Sequence, residues 1–221
     1  MNRLILVRHG GSTANENKTF YAYNDSAICL TTNGIEQALN TAGALATVEP
    51  RWAKPGNFAL EVFASEYTRA RQTARIALDQ MGMLSVAPSI RPVLNERDYG
   101  TRYDERMDID PACTLNGSES GVRARARVRV RGFITEATGL LDRADVLAFT
   151  HMGTIRALIA ELIGLSDQEM MRRDVDNGAA FQFVRTFAQD GSYRFVEAPI
   201  PPHVLPKDAS FIEEPPSAPP P

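Results

Sequence analysis

An α/β fold, a three-layer sandwich whose mostly parallel central sheet lies between helices, is the class this sequence predicts, on three observations. Short apolar runs alternate with segments of helical periodicity along most of the chain, as successive strand–helix units do. Two of those runs, residues 4–7 and 145–149, are apolar at nearly every position rather than every second one. A strand covered on both faces reads that way. With 43% hydrophobic and 23% charged residues over 221 positions, the composition is that of a globular chain long enough for one large core.

The elements follow in order. Leu4-Ile5-Leu6-Val7 forms the first strand and stops at Arg8-His9-Gly10-Gly11-Ser12-Thr13, where Gly, Ser and Thr suit a turn into a helix. Thr31 or Thr32 caps a helix reaching about Val48, and a Pro/Gly-rich loop spans 50–57. Residues 58–64 read as a strand and 68–81 as a helix ending near Gly82. A strand interrupted by prolines is expected within 86–93, and residues 95–120 form a long polar connection. Arginines at 123, 125, 127, 129 and 131 alternate as in a strand, yet Val122, Ala126, Val130, Phe133 and Ala137 make a stripe at helical spacing. The segment is therefore read as a helix with a solvated basic border, with a polyanion-binding patch as the lesser reading. A strand at 145–149, a helix at 155–165 and a closing pair at 179–187 and 193–197 complete a domain of residues 1–198. Residues 199–221 are proline-rich and read as an extended tail.

Composition excludes several functions. A net charge of −3 gives no general attraction to nucleic acid or an acidic membrane, so an anion site has to be a local basic pocket. Two cysteines, Cys29 and Cys113, without a CxxC pair give a structural zinc site little support. No stretch approaches the roughly 20 apolar residues that span a bilayer. The first apolar run is too short for a signal-peptide core, and the expected location is the cytoplasm.

His9 and His151, two of the three histidines, each stand just past an apolar strand and before a glycine and a helix. Ligands of parallel sheets bind at the carboxyl ends of strands, so the repetition points to a shared site. The surrounding residues carry a resemblance. Leu4-Ile5-Leu6-Val7-Arg8-His9-Gly10, with Ser12-Thr13, Asn15 and the segment Leu30-Thr31-Thr32-Asn33-Gly34-Ile35-Glu36-Gln37-Ala38, resembles the opening of the histidine phosphatase superfamily, the phosphoglycerate mutase-like proteins. Ala64-Ser65-Glu66-Tyr67-Thr68-Arg69-Ala70-Arg71-Gln72-Thr73-Ala74 is similar to its second arginine motif. Leu94-Asn95-Glu96-Arg97-Asp98-Tyr99-Gly100 is similar to its acid-bearing loop, and Phe149-Thr150-His151-Met152-Gly153 to its second histidine motif. The four stand in the family's order across roughly residues 4–186.

That resemblance implies a metal-independent phosphoryl transfer, with no cofactor. His9 is then the nucleophile, a neutral imidazole whose other nitrogen donates to a backbone carbonyl. Arg8 and Arg69 clamp the phosphate with paired N–H donors, and backbone N–H groups after Gly10 add positive potential. His151 stabilises the transferred group as a donor, protonated against the phosphate. Glu96 is the general acid, with Asp98 as its rival. Asn15, Gly10, Tyr21, Ala22 and Met152 are the expected substrate-binding positions. The partner implied is a small phosphorylated substrate, with no nucleic acid or membrane, and a homodimer is the assembly frequent among such relatives.

Departures from the family pattern bear on substrate. Gly11 stands where many relatives have Glu or Gln, Met152 replaces a frequent Gly, and Tyr21-Ala22 occupies the place of a Thr-Gly pair. Thr101-Arg102-Tyr103-Asp104 replaces a frequent Trp-Glu-Gly, and Asn116-Gly117-Ser118-Glu119-Ser120 only approximates a Gly-Glu-Ser segment. The expected activity is hydrolysis of a small phosphomonoester. A bisphosphoglycerate-dependent mutase and a non-catalytic phospholigand-binding module are the alternatives.

Overall fold

The computed structural model describes residues 2–17, 28–53, 59–96 and 119–200. Six strands form one mixed sheet: β1 (Arg3–Arg8), β2 (Leu60–Ala64), β3 (Ser89–Ile90), β4 (Asp145–Thr150), β5 (Ala180–Phe187) and β6 (Tyr193–Ala198). Their order is β3-β2-β4-β1-β5-β6. The first four neighbours pair in parallel, as the alternation of strands and helices requires. β5 and β6 close the sheet as an antiparallel hairpin beside β1, turning at Gly191 with φ of 80°.

Helices cover both faces. α1 (Thr13–Glu16) is a single turn, α2 (Thr32–Val48) and α3 (Thr68–Gln80) lie on one face, and α4 (Glu119–Leu140) and α5 (Met152–Ile163) on the other, with α6 (Asp167–Arg172) following. β1 shows why the fold has three layers. Leu4 and Leu6 point into the cluster with Phe133, Ile155 and Leu158, while Ile5 and Val7 point into the cluster with Leu45, Ala74 and Leu78. Successive strand side chains alternate in direction, so a continuous apolar run feeds two cores. Thr31 caps α2, its Oγ1 accepting the Gly34 N–H at 3.2 Å. α4 is the helix that the apolar stripe predicts, with Ala126, Val130, Phe133 and Ala137 all buried.

Three boundaries differ from expectation for local reasons. The strand expected within 86–93 shrinks to Ser89–Ile90, flanked by Pro88 and Pro92, neither of which has an N–H for a ladder. Pro50–Ala53, inside the expected loop, forms a 3-10 turn. α5 begins at Met152, with His151 as its N-cap residue, rather than at Ile155. The tail expected from 199 begins with Ile200 packed against the second cluster, and residues 201–221 lie outside the described residues.

Candidate active site

Strand register alone brings the two predicted histidines together. β1 and β4 are parallel neighbours with Val7 opposite Phe149 and Arg8 opposite Thr150. The next residues on each strand are His9 and His151, and the His9 N–H still bonds to the Thr150 carbonyl at 3.0 Å. Their ring centroids are 5.0 Å apart, and the residues are 1% and 0% exposed. On the other side of β4, β2 ends level with it, so Ser65 follows at the same height and its N–H bonds to the Phe149 carbonyl.

Hydrogen bonds fix the form of His9. Its Nδ1 lies 2.7 Å from the Gly10 carbonyl oxygen, which only accepts, so Nδ1 carries the proton. Nε2 is then a lone pair, and it accepts the Arg69 Nε–H at 3.3 Å. Arg69 comes from the first turn of α3, is fully buried, and lies over the Tyr67 ring at 4.8 Å. The Tyr67 ring also meets His151 edge-on at 5.1 Å. Arg8 directs Nη1 to the Val175 carbonyl at 2.6 Å, and its charge reaches both imidazoles.

The form of His151 follows from its neighbour. Ser65 Oγ donates to Asn95 Oδ1 at 2.8 Å and accepts the Tyr67 N–H at 3.1 Å. Its contact with His151 Nε2 at 2.8 Å therefore uses a proton on that nitrogen. His151 Nδ1 is buried with no hydrogen-bond partner among the described residues. Glu96 is 7% exposed, and its Oε2 accepts the Gly153 N–H in the first turn of α5 at 3.2 Å. One buried cup thus holds a lone pair, two guanidinium charges, a second imidazole and a carboxylate, the groups that an in-line phosphoryl transfer requires.

The chain resembles known proteins in sequence and fold. The pattern of the histidine phosphatase superfamily (branch 1) matches residues 4–190. The chain belongs to that superfamily. It is 30% identical over 197 residues to a 2,3-bisphosphoglycerate-dependent phosphoglycerate mutase of Azorhizobium caulinodans, covering 80% of this chain and 88% of the relative. A protein of the same name from Xanthobacter autotrophicus is 31% identical over the same shares. Solved structures share the fold. A mycobacterial glucosyl-3-phosphoglycerate phosphatase superposes with a TM-score of 0.67 at 18% identity, covering 93% of this chain and 100% of that one. An Entamoeba histolytica phosphoserine phosphatase gives 0.64 at 21%, covering 90% and 96%.

Of the five residues expected to act on the phosphoryl group, Arg8, His9, Arg69 and His151 lie close enough to interact, and Glu96 meets the Gly153 N–H two residues past His151. Other expectations change. The backbone N–H groups after Gly10, expected to add positive potential, have protein acceptors: that of Gly11 meets Gln37 Oε1 at 2.7 Å and that of Ser12 meets Asn15 Oδ1 at 3.1 Å, while the Gly10 N–H itself meets Thr73 Oγ1 at 3.0 Å. Asn15 is turned inward. Its Oδ1 accepts from Ser12 N and Oγ, capping α1, and from Asn177 Nδ2, which also holds the His9 carbonyl. Met152 is half-buried against the α4–α5 core. Tyr21, Ala22, Arg97, Asp98 and residues 101–106 lie outside the described residues. The basic border of α4 is not simply solvated. Arg123, Arg127 and Arg131 pair with Glu161 and Asp167, Arg125 is exposed, and Arg129 turns inward. Ser65, Asn95, Thr154 and Asn177 belong to the site's framework and were not singled out from sequence. Ser65 and Asn95 sit inside the recognised motifs, which was the available signal.

Electrostatics holds both imidazoles neutral. Burial, then the charges of Arg69 and Arg8, keep His9 well below the ordinary imidazole range, against the opposing pull of the Gly10 carbonyl. Burial, then Arg69, His9, Arg8 and Arg129, do the same to His151. The expectation that His151 is protonated therefore applies only once an anion lies beside it. Stability should respond to pH in a definite direction. Below the unfolded value of about 6.5 the unfolded chain binds protons that the folded chain refuses. This contribution is complete above that value and is lost as pH falls through it. Urea midpoints measured from about pH 7.5 to 5.5 should fall on the acid side. The fall should be shallower in His151→Asn, and an equal fall in both proteins would contradict neutral imidazoles.

Proposed function

We propose that this chain is a metal-independent phosphomonoester hydrolase, acting through a phosphohistidine at His9 on a small phosphorylated metabolite. The observation that carries the reading is the His9 tautomer: Nδ1–H tied to the Gly10 carbonyl, and the Nε2 lone pair turned to Arg69. A phosphoryl group arriving beside Arg69 takes its N–H donors for oxygen, which releases that lone pair to attack phosphorus. Arg8, Arg69 and His151, which takes a proton on Nδ1 once the anion lies beside it, offset the charge on the equatorial oxygens. The ester P–O bond breaks as Glu96 gives its proton to the leaving alkoxide. Water then attacks the phosphohistidine, losing its proton to the Glu96 carboxylate, and phosphate and neutral His9 are restored. The guanidinium and imidazole groups supply the charge that a metal supplies elsewhere.

A bisphosphoglycerate-dependent mutase is the second reading, favoured by the names of the 30–31% identical relatives. It uses the same first half-reaction but returns the phosphoryl group to a second alcohol. Two assays in chelator separate the readings. The hydrolase is expected to release phosphate from p-nitrophenyl phosphate and from phosphorylated metabolites at rates indifferent to added 2,3-bisphosphoglycerate. Interconversion of phosphoglycerates that outpaces phosphate release and depends on that primer would establish the mutase instead.

A further inference from the structure

One guanidinium outside the recognised motifs grips the backbone on both sides of the proposed acid. Arg129 lies in the middle of α4, one of five arginines spaced two apart. Three of the others are committed to Glu161 and Asp167 and a fourth is exposed. Arg129 reaches across to the described part of the loop after β3. Its Nη2 donates to the Asn95 carbonyl at 2.6 Å, and its Nη1 to the Glu96 carbonyl at 3.3 Å. These two carbonyls flank the Glu96 Cα, so a planar fork holds the peptides before and after it.

The loop is tied at successive carbonyls. Thr150 Oγ1, at the end of β4, donates to the Leu94 carbonyl at 2.6 Å. Thr154 Oγ1, in the first turn of α5, donates to the Asn95 carbonyl at 2.6 Å and accepts from Arg129 Nη2 at 3.1 Å. With the backbone pinned there, the buried Glu96 carboxylate meets the Gly153 N–H, two residues past His151. The Asn95 side chain continues the frame, its Oδ1 holding the Ser65 hydroxyl that in turn holds His151.

We infer that Arg129 is a positioning residue for general acid–base catalysis: with Thr154 it sets the place of the Glu96 carboxylate relative to the leaving oxygen. The inference rests on the reading of Glu96 as the proton donor, and deepens it. A lysine cannot reproduce the grip, because one ammonium cannot present two coplanar donors in a fixed fork. Displacing an acid by about 1 Å can cost about 10²-fold in rate.

Leaving-group dependence tests this. An alkyl ester such as glycerol 2-phosphate needs its alkoxide protonated, whereas p-nitrophenolate leaves with little help. In Arg129→Met, kcat/KM for the alkyl ester should fall by about 10²-fold, and by at least about tenfold more than for the aryl ester. Thr154→Val, a nearly isosteric change, should show the same selectivity at smaller size, and Arg129→Lys should recover only part of the loss. Glu96→Gln fixes the pattern that an absent acid produces. Equal losses on the two esters in Arg129→Met and Thr154→Val, with Glu96→Gln still selective, would overturn the positioning role while leaving the acid in place. A Glu96→Gln protein without selectivity would overturn the acid assignment itself, and the role of Arg129 with it.

Discussion

Replacing His9 by alanine is expected to lower phosphoryl transfer by roughly 10⁴- to 10⁶-fold, the range found when a covalent nucleophile is removed. The argument rests on geometry. The Gly10 carbonyl requires a proton on His9 Nδ1 and the Arg69 Nε–H requires Nε2 without one, so the two bonds together leave a lone pair on Nε2. Arg69 and Arg8 remain in the variant, so phosphate binding should outlast turnover, and vanadate should still bind. The charge balance shifts in a checkable direction. His9 is one of the groups that hold His151 below the ordinary imidazole range, so its removal lets His151 titrate at higher pH. Rapid-quench labelling should show an acid-labile, base-stable phosphoprotein in the wild type and none in His9→Ala. A labelled variant would place the nucleophile elsewhere.

His9, His151 and Arg69 were legible in the sequence because each sits in a short local segment whose strand or helix fixes its direction. A strand that ends at Arg8 and a parallel neighbour that ends at Thr150 put the two imidazoles that follow them side by side. The three layers were legible for the same reason, since residues 4–7 carry two cores on alternate side chains. Arg129 was not legible. It is one of five equivalent arginines in the sequence, and only the tertiary placement of the loop at 94–96 distinguishes it from Arg127, which pairs with acids on α5 and at the start of α6. The partner of the Gly11 N–H was not legible either, because Gln37 Oε1 lies 26 residues away on α2. Patterning sets which face a residue occupies. It does not say which of several long-range acceptors a flexible side chain or a loop amide will find.

Gly10 and Gly34 carry the other large expected effect. A Cβ on Gly10 would lie 2.1 Å from the Gly34 carbonyl oxygen, and one on Gly34 would lie 1.9 Å from the Gly11 carbonyl oxygen. Both neighbours are backbone, fixed by the caps of α2 and by the Thr31 N–H on the Gly11 carbonyl. Neither can rotate away as a side chain would. In Gly34→Ala the first turn of α2 has to lift off the His9 loop, carrying Gln37 away from the Gly11 N–H. The overpacking is expected to cost about 3 kcal/mol of stability, the upper end for such changes. Because the displaced segment adjoins the nucleophile, activity should fall by about 10²-fold as well. Gly132→Ala gives the opposite sign. Gly132 is exposed in the middle of α4, and a Cβ there meets nothing within 4 Å. Removing glycine's backbone freedom from a helix interior should stabilise the protein by about 0.5–1 kcal/mol. Urea unfolding of the two variants beside the wild type reads both effects. A Gly34→Ala midpoint equal to that of the wild type would mean that α2 and the His9 loop are not in the contact that builds this site.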